Sequence, residues 1–103
     1  MAKRAYVKVH RTSYGSIVAV CDEELLGREI VDGDLKLVVS RDFYGGALVS
    51  VDELPRYVRE ATMANILGNN SVKALTKVYP SIMEAAIRLG GVLHVQVFNS
   101  KEW

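Results

Sequence analysis

The chain has 103 residues, 50% of them hydrophobic and 24% charged, with a formal net charge of +1. That length can bury a core without staples, and the composition excludes a disordered or fibrous chain. A total charge so near zero says little about partners, because a basic patch can sit inside a neutral sum.

From Ala5 to Arg11 the residues alternate, Val7 and Val9 against Tyr6, Lys8 and His10, which predicts an antiparallel strand with one wet face. Thr12-Ser13-Tyr14-Gly15 supplies a turn and Ser16 to Cys21 a second β-branched run, so the two form a predicted hairpin. Asp22 stands where an N-cap should, followed by Glu23 and Glu24, and Gly27 closes that helix after barely one turn. Ile30-Val31 is the edge of a small strand, and Asp32-Gly33-Asp34 turns the chain into Leu35 to Val39. There Leu35, Leu37 and Val39 share a period of two, which predicts the central strand around which the rest is organised.

Gly45 and Gly46 follow, a pair that lets the backbone reverse or approach a neighbour closely before Ala47 to Val49 extend again. Ser50-Val51-Asp52-Glu53 has capping-box spacing, but Pro55 sits more easily in a helix that Asp52 caps. Leu54, Tyr57, Val58, Ala61, Ala64 and Leu67 recur at helical spacing, predicting one long helix that Gly68 ends. Asn69-Asn70-Ser71 caps a second helix from Val72, with Val72, Leu75 and Val78 or Tyr79 on its buried side, and Tyr79-Pro80 stops it. Ser81-Ile82-Met83-Glu84 again has capping-box form, Gly90-Gly91 bends the chain, and Val92 to Phe98 is a last strand with His94 and Gln96 on one face. These elements predict a single α+β domain over residues 1–103. Its form is a small two-layer sandwich, mainly antiparallel sheet with two helices packed on one face.

Several long strings also resemble a known family. Tyr6-Val7-Lys8-Val9-His10, VAVCDEELLG from Val18 to Gly27, DFYGG from Asp42 to Gly46, Ala64-Asn65 with Gly68, and RLGGVLH from Arg88 to His94 with Gln96 are similar to the archaeal domain of unknown function family numbered four hundred and twenty-four. The likeness covers almost the whole chain, with departures at Leu93, where a proline is usual, and at Asn69-Asn70, where charged residues are usual. It implies a compact, cytoplasmic α+β domain without an established activity, and a lean towards RNA or the translation apparatus.

Chemistry has little to hold on to. Cys21 is the sole cysteine, so an intrachain disulfide and a cysteine-rich zinc site are both excluded, and a reducing, cytoplasmic setting is consistent. Lys8 and His10 break the apolar run that a signal peptide would need, and no window approaches the ~18 apolar residues of a membrane span. Cys21, His10 and His94 would make a zinc or thiol site only if the fold gathered them, and Asp22, Glu23 and Glu24 oppose a thiolate. Gly45-Gly46 and Gly90-Gly91 lack the lysine or spaced glycine of phosphate-binding loops, so with Gly68 they are structural turns. We expect no cofactor and no metal.

Binding has more support. Tyr6, Lys8, His10 and Arg11 place cations and a ring along the first strand, and Arg41 and Tyr44 beside the double glycine could extend the strip. Such a strip tracks phosphates while the ring stacks on a base. The leading expectation is therefore a non-catalytic module for RNA or a ribonucleoprotein. The alternative is a protein-interaction or homodimeric subunit that docks through the hairpin edge and the tail from Phe98 to Trp103, and a small metal- or thiol-dependent enzyme stands third.

Overall fold

A computed structural model describes residues 3–98. The predicted hairpin is present: β1 (Arg4–Thr12) pairs antiparallel with β2 (Gly15–Asp22), from Ala5 opposite Asp22 to Thr12 opposite Gly15. A separate small hairpin follows, β3 (Glu29–Asp32) with β4 (Leu35–Val38), and then a single-turn helix, α1 (Arg41–Tyr44). Next come β5 (Ala47–Ser50), α2 (Leu54–Glu60), β6 (Met63–Leu67) and α3 (Asn69–Val78), and β7 (Ile87–Leu89) and β8 (Val92–Phe98) complete the described chain. The main sheet runs β5-β1-β2-β6-β8-β7 and is antiparallel throughout except where β6 lies parallel to β2.

The fold is α+β, mainly antiparallel, with α2 and α3 on one face. Leu54, Val58, Val72 and Leu75 from the helices meet Val7, Val18, Val20 and Ile66 from the sheet in one core. The opposite face is covered over part of its extent by β3, β4, α1 and the link between the last two, which bury Ile30, Val39 and Tyr44 against Ala19, Cys21 and Leu67. Alternation along β1, β2 and β6 feeds both cores, as period-two geometry requires of a sheet covered on two sides.

Five local expectations change. The stretch from Leu54 to Leu67 is not one helix: α2 stops at Glu60, Ala61 turns extended with ψ 150°, and β6 begins two residues later. The same sequence carries two periods, since Ala64 and Ile66 face α2 and α3 while Asn65 and Leu67 face the other way. A mutual clamp decides between them, because the backbone N–H of Thr62 donates to Ser16 O and the N–H of Ser16 donates to Thr62 Oγ1. The strand from Leu35 is not central either. It lies in the small hairpin, where Leu35 and Val38 are exposed.

Asp22 does not cap the short turn that follows it, and its carboxylate reaches instead to the start of α3. Asp52 does not cap α2. Ser50 and Glu53 close a capping box on a 3-10 turn that precedes it, and Pro55 falls in the first turn of α2, where no donor is needed. Around Ser81 a 3-10 segment, Pro80–Ala85, forms without the expected side-chain cap. The Gly90-Gly91 bend is a two-residue hairpin loop with φ 54° and 80°, the left-handed pair such a turn demands.

Candidate docking surface at the open end of the sheet

On β1 the residues Tyr6, Lys8 and His10 face the side that carries α1. That helix engages them. Lys8 Nζ donates to Asp42 O at 2.7 Å, and His10 Nε2 donates to Phe43 O at 2.7 Å, so the carbonyls left open at the end of α1 are met by cations or donors from β1. Since a carbonyl only accepts, that contact fixes the proton on Nε2. The imidazole also stacks on Phe43, with ring centroids 4.9 Å apart and 15° between planes.

Tyr44 is buried, and its hydroxyl donates to Asn65 Oδ1 at 2.7 Å. His94 Nε2 lies 3.3 Å from the same oxygen. Burial, and secondarily the neighbouring Cys21, push the Tyr44 hydroxyl up to about 12. Arg11 faces the helix-covered side, away from Lys8 and His10, and Arg41 extends towards Gly27. The structure therefore brings Lys8, His10, Arg41 and Tyr44 to one region around α1 but leaves Arg11 outside it. It also encloses the Tyr44 ring, so that ring is not available to stack on a base.

Cys21, His10 and His94 do not converge. The register places Cys21, Leu67 and His94 in one row across β2, β6 and β8, which separates thiol and imidazole strands by about 10 Å, and His10 lies opposite Ile17, four residues further along β2. Burial first, then the charges of Asp22 and Glu24, push the Cys21 thiol up to about 12, outweighing a hydrogen bond to the Tyr6 backbone. Such a thiol is a core residue rather than a nucleophile. Among the described residues no group of three His, Cys, Asp or Glu side chains could hold a metal ion.

Beyond Tyr44 the sheet loses its cover. His10, Ile17, Met63 and Phe98 are successive partners across β1, β2, β6 and β8 and form one row on the same face. Next to that row is a hollow of about 310 Å³, walled by Tyr14, Ile17, Thr62, Met63 and Phe98, with no residue of β3, β4 or α1 in its lining. Phe98 is 69% exposed and Tyr14, at the tip of the β1–β2 turn, 93%. Nothing in the sequence joins residues 17, 63 and 98. They meet only through strand register, and one of the strands was expected as helix. The rest of the tail invoked with Phe98, from Asn99 to Trp103, lies outside the described residues.

Among the described residues no helix is long and apolar enough to cross a membrane. Comparison with curated proteins finds no match. A solved structure described as an uncharacterized conserved protein from Methanopyrus kandleri is similar, with 26% sequence identity and a TM-score of 0.73 over 92% of this chain and 90% of that one. The resemblance seen in the motifs is matched by a family model, Protein of unknown function (DUF424), that spans residues 10–99, and the chain belongs to that family.

Proposed function

We propose that the chain is a non-catalytic docking subunit that pairs with a second copy of itself through the open end of its sheet. One observation carries this reading: the same patch holds exposed rings, Phe98 and Tyr14, and an apolar hollow of about 310 Å³ beside them. A surface that offers both a projecting ring and a space to receive one is complementary to itself, which is the requirement of a two-fold interface. Aromatic anchors dominate such interfaces, and burying a ring like Phe98 contributes roughly 1.5–3 kcal/mol. None of the residues lining the hollow is charged, so the two copies meet there without repulsion. A reducing cytoplasmic compartment suits the free, buried thiol of Cys21.

Sedimentation across a concentration series tests the pairing. A monomer–dimer equilibrium is expected for the unaltered chain, with Phe98→Asp and Tyr14→Asp each shifting it to monomer. A chain that stays monomeric at about millimolar concentration, where even weak pairs form, rejects the reading. So does a dimer indifferent to both substitutions. Filter binding with single-stranded RNA runs in parallel. Retention that falls steeply with salt, from a chain that remains monomeric, would favour the RNA reading instead.

A further inference from the structure

On the opposite, helix-covered face of the same sheet end lies a smaller cleft of about 120 Å³ between β1, β2 and the end of α2. Val9, Val18 and Ala61 give it an apolar floor. Its polar lining residues are Arg11, Glu60, Ser16 and Tyr57. We propose that this cleft binds a small zwitterion of the α-amino acid class, its carboxylate on Arg11 and its ammonium on Glu60.

Arg11 and Glu60 both line one small cleft, and among the described residues neither side chain makes an ion pair or side-chain hydrogen bond. An exposed Arg–Glu contact is worth little, so nothing forces them to collapse on each other. A ligand with a charge of each sign satisfies both at once, and both contacts are charge-assisted. Glu60 is moreover the last residue of α2, where the helix dipole disfavours a carboxylate and an ammonium beside it is favourable. The size of the cleft limits the side chain to a small one, and the apolar floor suits a methyl or methylene better than a further charge.

Calorimetric titration of the full chain with glycine, L-alanine and L-serine tests this. Propanoate and isopropylamine, each carrying one of the two charges, serve as controls. Saturable binding is expected for at least one amino acid, with each control about 10-fold weaker or more. Arg11→Gln and Glu60→Gln, both at exposed positions, are expected to fold normally by circular dichroism and to weaken binding by a similar factor. No heat from any of the three up to about 20 mM overturns the proposal. Equal binding of propanoate does too, as does binding that survives both substitutions. The cleft shares Ser16 with the lining of the dimer hollow, but Arg11 and Glu60 belong to the cleft alone, so their substitutions leave the dimer test separate.

Discussion

Asp22 and Ser71 meet twice: Asp22 Oδ1 accepts from the Ser71 backbone N–H at 2.8 Å and from its hydroxyl at 2.6 Å. The other carboxylate oxygen accepts from the Asn70 N–H at 3.0 Å, so the last residue of β2 satisfies the first free donors of α3, and both Asp22 and Ser71 are buried. Gly68, with φ 125°, lets the chain pass directly against that carboxylate.

Removing the carboxylate leaves buried N–H groups without an acceptor, so Asp22→Ala is expected to cost about 3 kcal/mol and Asp22→Asn, which keeps one acceptor, about 1 kcal/mol. Gly68→Ala should be comparably damaging, since its Cβ would run into the Asp22 carboxylate from a backbone conformation that alanine rarely adopts. Urea denaturation checks the series. An Asp22→Ala loss below about 0.5 kcal/mol would mean that the cap is not what holds α3 to the sheet.

Gly46 answers to a different constraint. Its φ is not positive, but a Cβ there would strike the carbonyl of Val7 and come within 2.9 Å of Lys8 Cα. Gly46→Ala must therefore push β5 away from β1, and because the obstacle is backbone it cannot be relieved by a rotamer change. A loss of about 2 kcal/mol is expected, accompanied by faster hydrogen exchange at the β1–β5 ladder before the rest of the sheet. Uniform exchange across the sheet would count against this local account.

These two positions mark what was legible in the sequence. The β1–β2 hairpin, the Gly90-Gly91 turn, the last strand and the α+β class follow from period-two patterning and turn chemistry, which act over a few residues. Asp22 was recognisable as a capping residue, but its helix lies 48 positions downstream at Asn70, a pairing that only the parallel placement of β6 beside β2 creates. Leu54 to Leu67 misled because Ala64 and Leu67 fit a helical stripe while Ala64 and Ile66 fit a strand, and the Thr62–Ser16 clamp that decides is non-local. For the site, the alternation of Tyr6, Lys8 and His10 correctly put them on one face. That a single-turn helix would engage Lys8 and His10 was not readable, since α1 has only four residues and owes its position to contacts with β1.

The alkaline side of stability should be set by Cys21 and Tyr44. Burial holds both neutral, with Cys21 raised from 9.0 and Tyr44 from 10.0, each to about 12. Between these limits the unfolded chain has released protons that the folded chain retains, so stability is full below pH 9 and falls as pH rises from about 9 towards 12. Cys21→Ala is expected to delay the onset of that fall towards the range where Tyr44 begins to matter. Urea midpoints recorded on the alkaline side check this, together with thiol labelling that is slow in the native protein and fast in denaturant. Rapid native labelling at neutral pH would contradict a buried, protonated thiol.

The acid side carries the opposite sign. Burial lowers the His94 pKa below its ordinary 6.5 while Nε2 contacts the Asn65 oxygen that Tyr44 also bonds. Above pH 6.5 both folded and unfolded chains hold this ring neutral and its contribution is complete. As pH falls from 6.5 towards the lower folded value, the unfolded chain takes up a proton that the folded chain refuses, and stability is lost. His94→Gln keeps an N–H donor for Asn65 without the titration, so it should flatten this limb while leaving the neutral-pH midpoint nearly unchanged. Imidazole resonances, assigned by their disappearance in that variant, give the folded pKa directly. A His94 that titrates at or above 6.5 would show that its surroundings do not exclude the charge, and the Tyr44–Asn65–His94 arrangement would then have to admit a cation where burial is expected to refuse one.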